Sequence, residues 1–206
     1  MNQQKGMLIV ISGFSGVGKG TVMQLVFDSL PNLQFSISCT SRKPRVGEEN
    51  GVNYFFISEE EFEEKIKNDE FIEWTKTFTN YYGTLKSEID KPLSRGVDVL
   101  LELNVVGAKR IKELYPDCVT IFITPPSLDV LKARLIGRGT ETKDSLKRRL
   151  AEIEKEGKDI DKYDYAVTNN VARTCADAVV HIIESEHLRV SRQNIKNLFV
   201  SEEYAL

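Results

Sequence analysis

An apolar run followed directly by a glycine-rich loop constrains the fold of this chain more than any other feature. Residues 7–11 are all apolar, and Ser12 and Gly13 follow them. An uninterrupted run of this kind is typical of a strand buried on both faces, as strands in parallel sheets are. Beyond the loop, apolar residues recur at helical spacing, at Val22, Leu25, Val26 and Leu30. The sequence therefore predicts a strand, a tight loop and a helix in direct succession.

The loop carries the spacing G-x-x-x-x-G-K between Gly13 and Lys19. In such a loop the glycines let backbone N–H groups curl around phosphate oxygens. The following helix adds positive potential at its N-terminus, and the lysine reaches the outer phosphates. We therefore expect a nucleotide phosphate to bind at Gly13, Phe14, Ser15, Gly16, Val17, Gly18, Lys19, Gly20 and Thr21. The alternative is a tight strand-to-helix turn whose lysine is simply exposed.

One position of the loop departs from the usual pattern. The residue after Lys19 is usually a Ser or Thr whose hydroxyl binds Mg²⁺, but here it is Gly20, and Thr21 comes one place later. This Gly-Lys-Gly-Thr form resembles the loops of adenylate-kinase-type enzymes. Because Mg²⁺ gives up its water reluctantly, we expect phosphates and water, rather than the loop, to hold it.

Further apolar runs alternate with helical segments along the chain. Three more strands are predicted, at residues 97–103, 119–123 and 165–167. Helical spacing occurs between them, at residues 108–114 and 128–136. This alternation predicts an α/β fold, a P-loop NTPase core whose mainly parallel sheet is flanked by helices. We expect the core at residues 6–36 and 95–185.

Two inserts and a tail complete the predicted organisation. Residues 37–94 hold aromatic runs around one helix, whose start is marked by Ser58 as a cap and by Glu61 three residues later. We interpret them as an inserted lobe with an aromatic core of Phe71, Trp74 and Phe78. Residues 137–150 are a shorter polar insert, and residues 186–206 form a tail with helical spacing at Ile195, Leu198 and Phe199.

Composition excludes several classes of protein. Of the 206 residues 41% are apolar, yet no run approaches the roughly 18 that a spanning helix needs, and no signal pattern occurs. The three cysteines form no C-x-x-C pair and there are only two histidines, so we predict no zinc cage, disulfide framework or Ser/His hydrolase. The formal charge of −3 argues against a nucleic-acid partner. We expect a cytoplasmic protein with no membrane partner.

The segment after the first helix suggests a second phosphate site. Arg42 and Arg45 flank a Pro in an extended turn, and Tyr54 follows shortly after. Two guanidinium groups and a phenol are able to grip one phosphate. Taken alone, however, a basic loop is more often a solvated surface.

The chain closely resembles the guanylate kinase family over about residues 6 to 185. The matching stretches keep the family's order and spacing: the phosphate loop and residues 38–54, 71–74, 80–84, 125–127, 137–142 and 163–169. The resemblance implies transfer of the γ-phosphoryl group of ATP to GMP, giving ADP and GDP, in purine nucleotide metabolism and GMP recycling. It also implies Mg²⁺ as the cofactor.

Carried over residue by residue, the resemblance implies that Arg42, Arg45, Tyr54 and Tyr82 hold the GMP phosphate. It implies that guanine is read by Ser38, Glu73 and Thr84. For Glu73 the chemistry agrees, because a carboxylate accepts hydrogen bonds from the ring N–H and the amino group of guanine. Adenine has no ring N–H there and would leave a buried group unpaired, at a cost of about 1–3 kcal/mol. The alternative for Glu73 is a surface glutamate on an edge strand.

In the family, a stretch similar to Leu-Asp-Ile-Asp lies beside the GMP site. The corresponding residues of this chain, 101–104, are Leu-Glu-Leu-Asn. Glu102 keeps a carboxylate that would orient metal-bound water. Asn104 has an amide whose carbonyl still accepts from guanine, so we expect activity to survive. The alternative for Asn104 is a neutral cap at the end of a strand.

A basic segment overlaps the second insert. From Lys132 to Arg149 there are seven basic and two acidic residues, a local charge of +5. Phosphoryl transfer needs positive charge on the moving group and exclusion of water. The resemblance implies that phosphates and the transition state are contacted by Arg134, Arg138 and Arg149. It also implies that Asn169 neighbours the ATP base. Glycines at 137 and 139 fit a hinged lid, and a solvated helix face is the alternative.

Two other functions stay open at this point. A guanylate-kinase-like binding module would keep the fold and hold protein partners in the lobe, although the intact Lys19 loop argues against it. Another P-loop kinase would act on AMP, a pyrimidine nucleotide or a ribose phosphate. A GTPase is disfavoured because the chain has no Asn-Lys-x-Asp motif. The tail would pack on the core or on a second subunit, so a homo-oligomer is an open expectation.

Overall fold

A computed structural model describes residues 5–77, 79–137, 149, 151 and 153–193. Its strands are β1 (Leu8–Gly13), β2 (Leu33–Phe35), β3 (Cys39–Thr40), β4 (Phe55–Phe56), β5 (Phe71–Thr77), β6 (Asn80–Leu85), β7 (Asp98–Glu102), β8 (Val119–Thr124) and β9 (Tyr165–Thr168). Its helices are α1 (Lys19–Ser29), α2 (Glu59–Lys67), α3 (Ser87–Ser94), α4 (Val105–Leu114), α5 (Leu128–Gly137) and α6 (Ala172–His187).

The core sheet has five parallel strands in the order β2-β7-β1-β8-β9. The four predicted strands are confirmed as β1, β7, β8 and β9, and the predicted α/β class with a mainly parallel sheet is confirmed with them. The sequence does not predict β2, because it has three residues and only Leu33 among them is buried.

The central strand β1 is buried on both faces. Ile9 and Ile11 belong to the cluster formed with α1, α5 and α6, whereas Leu8 and Val10 belong to the cluster formed with α3 and α4. None of these four side chains is more than 4% exposed. Helices on both sides of the sheet therefore explain the uninterrupted apolar run, because each residue of β1 meets a core whichever way it points.

A second sheet, in the order β4-β3-β6-β5, forms the inserted lobe. Its hydrophobic centre is Phe62 of α2, which is fully buried and stacks on Phe71 at a centroid distance of 4.2 Å and on Tyr81 at 5.1 Å. The predicted helix start is confirmed, since the Glu61 N–H donates to Ser58 Oγ at 3.1 Å.

Two expectations about the lobe are wrong. Trp74 is not in its core but 47% exposed, because its cross-strand neighbour Gly83 has no side chain to cover it. The lobe region also has two helices rather than one. The second, α3, contains Pro92, a residue that argues against a helix interior; here it occupies the last turn and is buried together with Ile89.

Several predicted features lie outside the described residues. They are Phe78, the tail positions Ile195, Leu198 and Phe199, and the second insert except for Gly137 and Arg149. In the described part, α6 continues to His187 and a 3₁₀ turn follows at Val190–Arg192. No helix in these ranges is long and apolar enough to cross a membrane.

Candidate active site

The parallel sheet brings three loops to one edge. Gly13 ends β1, Glu102 ends β7 and Asn169 follows β9. The strand register places Ile11 beside Glu102, so the β7 carboxylate lies next to the start of the glycine loop. Ligands of open α/β sheets bind at the carboxyl ends of the strands, so this edge is the first place to look for a site.

The glycine loop has a shape that other residues would not fit. Gly16 and Gly18 have φ values of 86° and 94°, in the left-handed region. A Cβ on Gly16 would lie 2.5 Å from a methyl carbon of Leu135, and one on Gly18 would lie 2.8 Å from Asn169 Nδ2. The loop is anchored by Phe14, which is 6% exposed, and by Val17, which is fully buried. Backbone conformation and close packing therefore both require the glycines.

Lys19 is the first residue of α1, and its side chain folds back across the loop. Its Nζ donates to the carbonyl of Gly13 at 2.7 Å and lies 3.4 Å from that of Phe14. The ammonium group therefore lies at the mouth of the loop, where outer phosphates would bind. Gly20 has no hydroxyl, and a Cβ added to it would have no other atom within 4 Å. Thr21, the next residue, is exposed.

Two side chains, one from the loop after β9 and one from α5, hold the glycine loop by its backbone. Asn169 is 4% exposed and its Nδ2 donates to the Val17 carbonyl at 2.8 Å. Arg134 of α5 donates to the same carbonyl at 3.2 Å and to the Asn169 carbonyl at 3.0 Å. Arg149 Nη1 donates to Ser15 Oγ at 2.6 Å. Arg134, Arg149 and Asn169 are thus all at the loop, whereas Arg138 lies outside the described residues.

In the lobe, Arg42 is the centre of a second cluster. Its two terminal nitrogens donate to the two carboxylate oxygens of Glu48 at 2.7 and 2.8 Å. Its guanidinium carbon lies 5.3 Å from the Tyr54 ring centroid, and the Tyr54 and Tyr82 rings are 6.2 Å apart, edge to face. The structure therefore brings Arg42, Tyr54 and Tyr82 together, while the Arg45 side chain is exposed.

Glu48 is the residue of this cluster that the sequence analysis misses. The hydrogen bonds from Arg42 hold the pKa of its carboxyl at about 2, well below the ordinary value. The same pairing raises the pKa of Arg42 further. The available signal was the Arg-Val-Gly-Glu sequence at residues 45–48, in which a glycine turn directs an acid back toward the preceding arginines.

A half-buried carboxylate and a buried hydroxyl lie on the neighbouring strands β5 and β6. Glu73 and Thr84 are paired in the sheet register, and Thr84 Oγ1 donates to Glu73 Oε1 at 2.8 Å. Thr84 is 1% exposed. Burial raises the pKa of Glu73, and the bond from Thr84 opposes that shift. Although β5 is an edge strand, Glu73 is therefore not an ordinary surface glutamate. Ser38 directly precedes β3 and is half-buried. Its backbone carbonyl accepts from the Phe55 N–H at 2.9 Å.

Asn104 begins α4 rather than continuing β7. Its Oδ1 accepts the Gly107 N–H at 2.8 Å, so its carbonyl oxygen caps the helix. Asn104 is therefore the N-cap of α4 rather than a cap at the end of β7, and the residue is exposed. Glu102 is exposed. In the part of the chain that the structure describes, no group of three or more His, Cys, Asp or Glu residues is arranged to hold a metal.

A protein-family model described as guanylate kinase matches residues 5–186. The chain belongs to the guanylate kinase family. A guanylate kinase of Clostridioides difficile is 46% identical over 199 residues, covering 97% of this chain and 96% of that protein. A guanylate kinase of Streptococcus mutans is 48% identical over 191 residues, covering 92% and 90%.

A solved structure agrees with this membership. The crystal structure of guanylate kinase from Anaplasma phagocytophilum has a TM-score of 0.75 and 29% sequence identity, and the match covers 95% of this chain and 94% of that one. The guanylate kinase fold therefore extends over the core and the lobe together.

Proposed function

We propose that this chain transfers the γ-phosphoryl group of ATP to GMP, giving ADP and GDP, and so serves purine nucleotide metabolism and GMP recycling. One observation carries the proposal: the chain has two separate candidate phosphate sites, the glycine loop with Lys19 in the core and the Arg42 cluster in the lobe. An enzyme that transfers a phosphoryl group between two phosphorylated substrates needs two phosphate sites, whereas a nucleotide hydrolase needs only one phosphate site. Family membership supports ATP as donor and GMP as acceptor.

On the donor side, backbone N–H groups of the loop bind the ATP phosphates, and Lys19 exchanges its loop carbonyls for the outer phosphates. Arg134 and Arg149 contact the loop through backbone and hydroxyl oxygens, within reach of those phosphates. With Arg138 they supply positive charge to the transferred group, which is the main requirement of phosphoryl transfer. Asn169 lies beside the ATP base.

On the acceptor side, the GMP phosphate is held by Arg42, Arg45, Tyr54 and Tyr82. Guanine is read by Ser38, Glu73, Thr84 and Asn104, the N-cap of α4. The Glu73 carboxylate accepts from guanine's ring N–H and amino group, and the Thr84 hydroxyl fixes its orientation. The Asn104 carbonyl oxygen caps α4 with one lone pair and accepts from guanine with the other.

The residues at the sheet edge fit Mg²⁺ bound mainly through phosphates and water. Gly20 has no hydroxyl, and Glu102 is an exposed carboxylate beside the start of the loop. Mg²⁺ commonly keeps several waters and uses one carboxylate together with substrate phosphates. We assign Glu102 that place, through water. When bound, the ion neutralises phosphate charge.

The organisation of the chain follows from these sites. Residues 6–36 and 95–185 form the core, residues 37–94 the GMP lobe, residues 137–150 the lid and residues 186–206 the tail. Lobe and lid close over the substrates and exclude water. A cytoplasmic location fits the three buried free cysteines, and the tail is the segment through which a homo-oligomer would form.

The test is a panel of acceptors. The protein is incubated with ATP, Mg²⁺ and one nucleoside monophosphate at a time, and ADP production is measured with GMP, AMP, CMP and UMP. We expect turnover with GMP and only a small fraction of it with the others. Turnover with another acceptor in place of GMP would assign a different kinase activity. No turnover with any acceptor would favour a binding module.

A further inference from the structure

The backbone pairing between β1 and β7 ends just before the glycine loop begins. The register of the two strands ends at Ile11 and Glu102, and a hydrogen bond from the Leu103 N–H to the Ile11 carbonyl at 3.2 Å closes the ladder. On its other side, β1 stays paired with β8 as far as Gly13. Within the described residues, backbone pairing therefore ties the start of the loop to β8 alone.

The side chain of Ser12 joins β1 to β7 beyond the end of this ladder. Its Oγ donates to the Leu103 carbonyl at 2.8 Å, and the residue is 1% exposed. If the parallel ladder continued, the Leu103 carbonyl would accept the N–H of Gly13, but the register stops before that step. A side-chain hydroxyl therefore takes the place of the next backbone donor.

One end of this hydrogen bond lies next to the proposed ATP site. Gly13 directly follows Ser12, and its carbonyl accepts from Lys19 Nζ at 2.7 Å. Gly13 is also packed tightly against β8, because a Cβ added to it would lie 2.4 Å from the Ile123 carbonyl oxygen. The position of Ser12 is therefore transmitted directly to the first residue of the loop and to its lysine.

The other end lies between two residues that the proposed function assigns to Mg²⁺ and guanine, Glu102 and Asn104. Asn104 Oδ1 accepts the Gly107 N–H at 2.8 Å. The Leu103 Cβ lies 3.3 Å from the place that a Cβ on Gly107 would take. Residues 102–104 are therefore held against the first turn of α4, and a shift of the Leu103 carbonyl moves Glu102 and Asn104 with it.

We propose that Ser12 is a positioning residue for phosphoryl transfer: its hydrogen bond to the Leu103 carbonyl sets the separation between the glycine loop and residues 102–104. This rests on the proposed function, because it assumes that the loop holds ATP and that the other segment faces GMP. The reacting atoms must be in line and about 3–3.5 Å apart, and an error of about 1 Å costs about a hundredfold in rate. Since Ser12 is buried, it acts through the two segments that it joins and not by contact with a substrate.

A hydroxyl that only stabilises the fold predicts a different result, and a second buried hydroxyl of the core sheet is the control. Thr120 of β8 is 3% exposed, and its Oγ1 donates to Asp164 Oδ2 at 2.8 Å. In the register it lies beside Val10, two residues before Ser12 and away from the loop. Ser12→Ala and Thr120→Val each remove one buried hydroxyl, and we expect both to lower the melting temperature.

Only Ser12→Ala is expected to change the transfer step. Its rate in a single turnover should fall about tenfold or more, while the Kd values of ATP and of GMP, each measured alone, stay within about twofold. A bisubstrate analogue, with adenosine and guanosine joined through their 5′ oxygens by a phosphate chain, should bind about tenfold more weakly because it needs both sites at one separation. Thr120→Val should leave the rate and all three Kd values within about twofold of the wild type.

An unchanged single-turnover rate or an unchanged analogue affinity in Ser12→Ala overturns the positioning role, and so does an equal loss in Thr120→Val. Failure of the wild-type chain to phosphorylate GMP refutes the proposed function instead. Thermal unfolding checks that each variant is folded. If Ala at position 12 prevents folding, Ser12→Cys takes its place, because a thiol is only a weak donor. Ser12→Cys must then lower the single-turnover rate while the Kd values of ATP and GMP stay unchanged.

Discussion

Replacing Glu73 by Gln tests the guanine-recognition assignment most directly. Gln is nearly isosteric and its Oε1 still accepts from Thr84 Oγ1, which donates to Glu73 at 2.8 Å. The substitution therefore leaves the local packing and the cross-strand hydrogen bond in place. What changes is the other oxygen, which becomes an NH₂ group that donates where guanine also donates.

The expected loss of activity in Glu73→Gln follows from the hydrogen bonds that the substitution removes or weakens. A carboxylate that accepts two N–H groups of guanine loses one charge-assisted bond, worth roughly 1.5–3 kcal/mol, and the remaining bond becomes a neutral one. About 3 kcal/mol in total corresponds to about a hundredfold loss, since each 1.4 kcal/mol is tenfold. We therefore expect kcat/KM for GMP to fall about a hundredfold, with the KM for ATP unchanged.

The assay is steady-state ADP production at saturating ATP over a range of GMP concentrations. Glu64→Gln is the matched control, because Glu64 is an exposed acid of α2 in the same lobe. A loss in Glu73→Gln within about twofold of the control would refute the assignment of Glu73 to guanine.

Stability is expected to move in the opposite direction to activity. Burial raises the pKa of Glu73, so the folded chain holds this proton more tightly than the unfolded chain does. Its contribution to stability is then present at low pH and is lost as pH rises through the raised pKa. At neutral pH Glu73→Gln should have a melting temperature equal to or above that of the wild type. The KM for GMP of the wild type should rise as pH falls through the same range, because the protonated acid no longer accepts both hydrogen bonds.

Three further substitutions test the loop, the lobe core and the cap. Gly18→Ala imposes a left-handed φ of 94° on a residue with a Cβ and brings that Cβ 2.8 Å from Asn169 Nδ2, so the KM for ATP should rise at least tenfold at unchanged KM for GMP. Phe62→Ala removes the fully buried ring of the lobe and should lower the free energy of unfolding in urea by about 3–5 kcal/mol. Asn104→Ala removes the bond to the Gly107 N–H and should cost about 1 kcal/mol in the same assay, whereas Asn104→Asp retains the cap and the stability.

The parts of the fold that the sequence predicts are those whose signal is contiguous. β1 is an unbroken apolar run because both faces of the strand are covered, and the glycine loop has its residues at fixed spacing. The strands β2, β3 and β4 have three, two and two residues. Such pieces are too short for any periodicity, and only the register with their neighbours makes them strands.

The features that the sequence misses depend on partners that are distant or that lack a motif. Whether Trp74 is buried depends on its cross-strand neighbour Gly83, which local sequence does not identify. Glu48 is six residues from Arg42, a spacing that belongs to no regular element, and only the turn at Gly47 brings the two together. Arg134 and Asn169 meet at the Val17 carbonyl, across more than a hundred residues of chain. Those contacts follow from the sheet order and not from any pattern near the residues themselves.

Two carboxylates of the lobe, Glu48 and Glu73, have pKa values shifted in opposite directions because their partners differ. Glu48 is paired with a cation, so its pKa is held near 2 and its ionised form stabilises the fold until pH falls toward that value. Glu73 is bonded to a neutral hydroxyl and forms no ion pair among the described residues, so burial raises its pKa and ionisation opposes folding. The Glu48 carboxylate already accepts hydrogen bonds from Arg42, so it has little to gain from a ligand. A half-buried charge without a cation gains most from donors that a ligand brings, and guanine has two N–H groups on one edge. The difference in partners therefore supports the proposal that Glu73 is the glutamate that reads the base, because the carboxylate of Glu48 is already occupied by Arg42.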